Sequence, residues 1–126
     1  LMKMLWYGDA LSFKRRGIAM TGMVYRHEPM GALPVGHYSL MNLENLNIRE
    51  EESNTYDLML HIYPSKGMDY AVLTDEDRSI LDDVIKKFKD YKAKDIIEYM
   101  HGETAYTKTK AGEMIPFSLA KDIREF

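Results

Sequence analysis

The pair His27-Glu28 begins like the His-Glu-x-x-His helix of zinc proteases, in which two histidines hold the metal and the glutamate is a general base. Gly31 stands where the second histidine would be. Pro29 and Pro34 also forbid the continuous helix that would place two histidines on one face, because proline lacks a backbone N–H and clashes with the preceding turn. The spacing therefore does not predict a zinc protease site.

Three further patterns each lack something that their chemistry requires. His101–Glu103 has the His-x-Glu spacing of nucleotide deaminases, which also need two cysteines, and the chain has none. Gly17 and Gly22 have the glycine spacing of a phosphate-binding loop, but Met23 stands at the lysine position. Ser118–Lys121 is a Ser-x-x-Lys sequence without the other elements of penicillin-recognising enzymes. We therefore predict no catalytic residue and no enzyme activity.

Metal and cofactor sites are not predicted either. The histidines at 27, 37, 61 and 101 share no helical spacing, and transition metals need ligands that converge. Glu50–Glu52 are consecutive, so on a strand they point to alternating sides. One alternative stays open: a small metal-dependent hydrolase that uses His27, Glu28 and His37, since active sites concentrate on loops.

The composition is that of an ordinary globular domain. The chain has 126 residues and a net charge of -3, with 45% hydrophobic and 29% charged residues. The basic run Lys14–Arg16 is short, and basic residues are favoured at a helix C-terminus, so we predict no direct contact with nucleic acid. No apolar run is long enough to cross a membrane. The absence of cysteine and of a signal peptide predicts a cytoplasmic protein.

Two helices are predicted in the first part of the chain. The first runs from Leu1 to Arg16, is apolar on several sides and should therefore be central and buried. Gly17 suits its C-terminal end. The chain opens inside this helix, which predicts a C-terminal fragment of a longer protein. A second helix is predicted over Pro34–Leu46, because proline suits the first helical turn.

The helix with the strongest pattern is predicted over Thr74–Tyr91. Thr74 and Asp77 form a variant of the capping box. Shorter helices are predicted over Ala93–His101, ended by Gly102, and over Phe117–Phe126. The apolar face of the long helix is predicted to contain Ile80, Leu81, Val84, Ile85 and Phe88.

Extended and loop segments complete the expected fold, which is α+β: a mainly helical single domain over residues 1–126 with a small antiparallel hairpin or sheet. Alternating apolar residues predict a hairpin of Asn47–Glu52 and Tyr56–Tyr63 with a turn at Ser53-Asn54. Tyr70–Leu73 is expected to add a short edge strand. The remaining segments are expected to be loops: Ile18–Pro34, with an extended piece at Met23–Arg26, and Thr104–Ile115.

The order of these features resembles a known family. A helix over Lys3–Phe13 comes first, followed by Thr21-Gly22-x-x-Tyr25 and a Pro-x-Gly-x-x-Pro loop over Pro29–Pro34. Later, Leu73–Glu76 opens a long helix, and a shorter helix ends at His101–Glu103. This pattern is similar to that of the Panacea domain, also called the SocA-like antitoxin domain, and the resemblance covers nearly the whole chain.

The resemblance implies a function that the residues themselves do not show. It implies a protein-binding antitoxin of a bacterial, phage-associated toxin–antitoxin system, which neutralises a cognate toxin by direct binding. Two alternatives are an adaptor that delivers the toxin to a protease or its unfoldase, and the toxin-sensing part of a DNA-binding transcriptional regulator. A homodimer is a further expectation.

The expected partner-binding residues are aromatic, methionine and glycine residues near the first helix and the proline loop. Aromatic and methionine side chains are enriched in interface cores and hot spots. An equally simple interpretation is that Trp6 and Tyr25 stabilise the core. The candidate residues are Trp6, Tyr7, Tyr25, Met30, Gly31 and Tyr38.

Overall fold

The computed structural model describes residues 1–37, 39 and 72–124, together with the backbone of 46–52 and 58–64. Contacts divide the chain into two units, Leu1–Val35 with Leu73–Phe126, and Gly36–Val72. In chain order the elements are α1 (Met2–Arg16), β1 (Tyr25–Glu28), β2 (Gly31–Pro34), β3 (Leu46–Glu52), β4 (Leu58–Pro64), α2 (Asp75–Phe88), α3 (Ala93–His101), α4 (Thr104–Thr107), β5 (Met114–Ile115) and α5 (Phe117–Ala120). The mainly helical α+β fold is confirmed, and the single domain stays a prediction.

Helix α1 is the centre of the first unit. Every residue from Trp6 to Ser12 is buried, and the helix packs against α2, α3, α5 and β2. A helix covered on so many sides needs apolar side chains around most of its circumference, as the sequence has. Gly17 ends the helix in the left-handed conformation with φ 75°, and its N–H donates to the Phe13 carbonyl at 2.9 Å. The predicted central helix and its stop are confirmed.

The segment predicted as a loop forms a hairpin. Strands β1 and β2 pair antiparallel from Tyr25↔Pro34 to Glu28↔Gly31, with Pro29 and Met30 as the two turn residues. The expected extended piece at Met23–Arg26 overlaps β1 at Tyr25 and Arg26, but the loop expected after it is wrong. A turn and the end of an edge strand accommodate the proline and glycine residues of this segment. Strand β5 pairs with the other side of β1, so the sheet order is β2-β1-β5.

The predicted helix Pro34–Leu46 is wrong at both ends. Pro34 is the last residue of β2, and Leu46 is the first residue of β3. Residues 40–45 lie outside the described residues. Proline is accommodated at this strand end because the residue opposite Tyr25 does not have to donate an N–H to β1. The cross-strand hydrogen bond is made by the next residue, as the Val35 N–H donates to the Val24 carbonyl at 2.8 Å.

The outer edge of β2 is blocked by side-chain chemistry. The Ala32 N–H points away from β1 and donates to the Met100 sulfur at 3.0 Å. Pro34, the next residue of the same orientation, has no N–H. Gly31 has φ 116°, and a β-carbon there would lie 2.5 Å from the Met100 sulfur. The edge is therefore poorly suited to pairing with another strand.

The hairpin in the second unit is confirmed. Strands β3 and β4 pair antiparallel from Leu46↔Pro64 to Glu52↔Leu58. The predicted turn at Ser53-Asn54 lies outside the described residues, as do Tyr70 and the residue after it. Val72 and Leu73, the described end of the expected edge strand, are not in a strand.

Helix α2 begins with the predicted capping box. The Asp77 N–H donates to the Thr74 hydroxyl at 3.1 Å, and the Thr74 N–H donates to the Asp77 carboxylate at 3.0 Å. The helix ends at Phe88 rather than at Tyr91, as was predicted. The Tyr91 ring packs against the Phe88 ring, with the ring centres 5.2 Å apart. Ile85 was wrongly assigned to the buried face, since its side chain is 51% exposed.

Helix α3 has the predicted bounds, whereas α5 is shorter than predicted. The segment 104–115 was expected to be a loop but contains α4 and β5, because two of its apolar residues, Ala105 and Ile115, are buried in the core. Helix α5 ends at Ala120. The core of the first unit comprises Trp6, Tyr7, Ala10, Leu11, Tyr25, Ala32, Ile80, Val84, Phe88, Ile96, Met100, Ala105, Ile115, Ala120 and Ile123.

Replacing Gly31 by alanine is expected to destabilise the protein by about 1–3 kcal/mol, because a positive φ disfavours a β-carbon and the Met100 sulfur must move. Urea unfolding would measure the change. Gly112→Ala is the control: Gly112 has φ 84°, with no atom within 4 Å of its β-carbon position. The steric argument would be refuted if Gly31→Ala were no more destabilising than Gly112→Ala.

Asp77 makes the stability depend on pH. The Thr74 N–H and the Arg16 guanidinium, 2.9 Å away, lower the pKa of Asp77. Its contribution is therefore present above the unfolded pKa of about 3.9 and is lost as the pH falls through the lower folded value. Asp77→Asn should be less stable than the native chain at pH 7, and the difference should shrink below about pH 4. A pH-independent difference in urea midpoints would contradict this.

Candidate functional site

The structure separates the candidate residues into a core set and a surface set. Trp6, Tyr7 and Tyr25 are 1%, 0% and 1% exposed, so their side chains pack inside the first unit. Met30 is 65% exposed at the hairpin turn, directly before buried Gly31. Tyr38 lies outside the described residues. Among the described candidates, Met30 alone presents its side chain to solvent.

A groove of 340 Å³ lies beside this turn. It is formed by the start of α1 and the β1–β2 hairpin, and its surface is mainly apolar. Met30 forms part of its wall, so the exposed methionine and the groove make one continuous surface, which we call the turn groove. The lining residues are Lys3, Glu28, Pro29, Met30, Gly31 and Leu33.

Three stacked rings, those of His27, Tyr106 and His101, support the β1–β2 turn. The Tyr106 ring lies against His27, with ring centres 3.7 Å apart, and against His101, at 4.6 Å. The Tyr106 hydroxyl donates to the Glu28 carbonyl at 2.6 Å, and His101 Nε2 lies 3.1 Å from the Pro29 carbonyl. A carbonyl only accepts, so His101 Nε2 is the protonated nitrogen. The carbonyls on the N-terminal side of Met30 are therefore fixed by side chains from α3 and α4.

His27 is also held by the protein rather than free for chemistry. Its Nδ1 lies 2.8 Å from the Thr109 hydroxyl, which itself donates to the Ala105 carbonyl at 2.8 Å. Because that hydroxyl hydrogen is used, His27 Nδ1 must donate. Burial raises the pKa of Tyr106, and nearby Glu28 raises it further, which keeps its hydroxyl a donor. Among the described residues, no three His, Asp or Glu side chains converge to hold a metal ion.

Asp9 is a fully buried carboxylate within α1. It accepts from the Thr21 N–H at 2.6 Å, from the Thr21 hydroxyl, and from the Tyr25 hydroxyl at 2.7 Å. Burial and the bond to Asp9 raise the pKa of Tyr25, so its hydroxyl stays protonated. Buried charge is tolerated only with such partners. Asp9 therefore ties the helix to the loop and to the first residue of β1.

Glu103 makes the second buried tie, at the junction of α3 and α4. It is 1% exposed and accepts from the Tyr7 hydroxyl at 3.1 Å and from Arg124 Nε at 3.1 Å. The Arg124 backbone N–H lies 3.2 Å from the same carboxylate. The Arg124 guanidinium also stacks over the Tyr99 ring, with its Cζ 3.9 Å from the ring centre. This contact joins the centre of α1 to the C-terminal segment of the described chain.

Sequence reasoning did not identify Asp9 or Glu103. One signal was available for Asp9: it stands between Tyr7 and Ala10 in a helix segment that is otherwise suited to the core. A charged residue in such a segment is rarely buried without partners. Its partners Thr21 and Tyr25 belong to the Thr21-Gly22-x-x-Tyr25 motif, but the sequence does not indicate that this motif contacts Asp9. Glu103 follows a helix end, where a solvated position is the ordinary expectation.

The model of the family described as "Antitoxin SocA-like, Panacea domain" matches residues 1–106. The chain belongs to this family. No curated protein and no solved structure matches it. The matched part of the Panacea domain contains α1, the β1–β2 hairpin, α3 and the ring stack, while β5, α5 and Arg124 follow it.

The family description indicates an antitoxin-like domain, and so a protein partner. None of the described helices combines the length and apolarity that crossing a bilayer requires. The two buried carboxylates make all their described contacts with the protein itself. Within the described part of the Panacea domain, the turn groove is a mainly apolar surface that is open to contact with another molecule.

Removing the Asp9 carboxylate is expected to lower the free energy of unfolding by about 2–5 kcal/mol, because the Tyr25 hydroxyl and the Thr21 N–H lose a buried acceptor. Tyr25→Phe should cost about 1–2 kcal/mol. Asp82→Ala, on the exposed side of α2, is the control and should change stability by less than about 0.5 kcal/mol. Urea unfolding of the single and double variants should show coupling, and strictly additive effects of Asp9→Ala and Tyr25→Phe would refute the tie.

Proposed function

We propose that this Panacea domain is an antitoxin that neutralises a partner toxin by direct binding in the cytoplasm, without catalysing a reaction. The family description supports the antitoxin role. The observation that supports direct binding is the turn groove, in which a 65% exposed methionine stands beside an apolar surface on a fixed hairpin turn. The toxin belongs to the same toxin–antitoxin system, which is bacterial and phage-associated.

The turn groove has the physical properties of a contact surface. A large apolar side chain gains about 1.5–3 kcal/mol when it is fully removed from water, so covering Met30 favours association. Methionine is flexible and polarisable, and it adapts to partners of different shape. The backbone beneath it is held by Tyr106 and His101, so little ordering is required on binding. A rigid backbone with one adaptable side chain suits the recognition of a protein surface.

Trp6, Tyr7 and Tyr25 contribute to this function through packing. Their burial, at 1% exposure or less, supports a role in packing behind the contact surface. Tyr25 begins the strand that ends at the turn, and Gly31 allows Met100 to approach the other strand. These residues therefore determine where the Met30 side chain is presented. Tyr38 stays a predicted contact residue.

A growth-rescue assay tests the proposal. The protein encoded beside this chain would be expressed alone and together with the chain, extended upstream if its reading frame continues there. We expect the neighbour alone to arrest growth, the native chain to restore it, and Met30→Glu to abolish rescue, because a carboxylate at this position opposes burial of the contact. Met114→Glu is the matched control, since Met114 is 46% exposed in β5 and does not line the turn groove.

Thermal melting of both variants separates binding from folding. Unchanged melting with rescue lost only in Met30→Glu supports the turn groove as the contact. A harmless neighbour would contradict the antitoxin role. Full rescue by Met30→Glu would contradict the contact surface and leave the antitoxin role standing.

A further inference from the structure

Lys3 is a cation in the turn groove that has no ion-pair partner within the part of the chain that the structure describes. Its Cε lies 3.6 Å from the position that a β-carbon on Gly31 would occupy, so its aliphatic stem lies along the hairpin. The side chain is partly buried. None of the ion pairs or hydrogen bonds among the described residues involves its ammonium. Glu28 lines the same groove without pairing with it.

The energetics of this position are unfavourable in the free protein. Burial lowers the pKa of the Lys3 ammonium, and no described carboxylate compensates for the water that the ammonium has lost. Any molecule that covers Met30 removes still more water from the groove. An unpaired ammonium then becomes a large penalty, whereas a carboxylate supplied by the partner turns it into a charge-assisted hydrogen bond.

We propose that the turn groove binds a segment of the partner protein in which an apolar side chain packs on Met30 and a nearby Asp or Glu pairs with Lys3. This inference rests on the proposed function and specifies the chemistry of the same contact. Lys3 is the one cation among the described residues that line the turn groove, so the acid is directed to Lys3 and the orientation of the segment is fixed. A basic or wholly apolar segment leaves Lys3 unpaired and binds less well.

The binding test uses the full chain and the purified product of the neighbouring reading frame, measured by calorimetry at low and high salt. Lys3→Met keeps a long apolar stem and removes the charge. We expect it to weaken binding about ten- to a hundredfold and to reduce the salt dependence, as loss of a charge-assisted hydrogen bond would. Lys3→Arg should retain most of the affinity, because a guanidinium also pairs with a carboxylate.

The same substitution has an opposite effect on folding, which distinguishes a binding role from a structural one. Because the ammonium is disfavoured in the folded state, Lys3→Met should leave the melting temperature unchanged or raise it. Lys94→Met is the matched control. Lys94 is exposed at the start of α3 and lies outside the turn groove, so its loss should change the affinity less than about twofold.

A charge exchange identifies the partner's acid. Lys3→Glu should abolish binding, and replacing the partner's Asp and Glu residues one at a time by lysine should restore it at one position. The inference alone is overturned if the native chain binds the neighbour and Lys3→Met binds equally well. It is also overturned if light scattering shows that the native chain self-associates and that Lys3→Met does not, since the occupant of the groove is then a second copy of the chain. If the native chain does not bind the neighbour, the proposed function fails and the inference fails with it.

Discussion

The burial of α1 is the constraint on which the first unit depends. The middle of this helix, from Trp6 to Ser12, is buried among α2, α3, α5 and β2, yet it contains the charged residue Asp9. The carboxylate is compatible with the core because three donors from Thr21 and Tyr25 surround it. Those donors belong to the loop and to β1. The chain after α1 must therefore return to the helix centre before it begins the strand, and the position of the sheet follows from this return.

Glu103 imposes the same requirement on the other end of the unit. It lies between α3 and α4, and its partners are Tyr7 of α1 and Arg124 after α5. Two buried carboxylates thus connect one helix to segments that are distant in sequence. Each carboxylate stabilises the fold only when all its partners are present. Removing one partner leaves a buried charge unpaired, which lowers the free energy of unfolding by about 3–5 kcal/mol. The core is consequently specified by polar contacts as well as by apolar packing.

The surface proposed for binding is a product of this internal order. The β1–β2 turn is short, its carbonyls are held by Tyr106 and His101, and the Met100 sulfur occupies the outer edge of β2. Such a turn has little freedom, while the Met30 side chain retains its own. Rigidity of the backbone and adaptability of the side chain are two properties that suit the proposed contact with another protein. Of the histidines that suggested chemistry in the sequence, His101 holds the Pro29 carbonyl and His27 bonds to the Thr109 hydroxyl.

The sequence by itself determined the elements whose causes are local. Helix α1 and its Gly17 stop, the Thr74 and Asp77 capping box, α3 and the β3–β4 hairpin follow from periodicity and end chemistry within a few residues. The order of the motifs was enough for the family. Tertiary structure decided what depends on distant partners: the β1–β2 hairpin, the short strand β5, the burial of Asp9 and Glu103, and the exposure of Met30. These depend on contacts such as Tyr7 with Glu103, 96 residues apart, and such distances are set by packing, which no local pattern records.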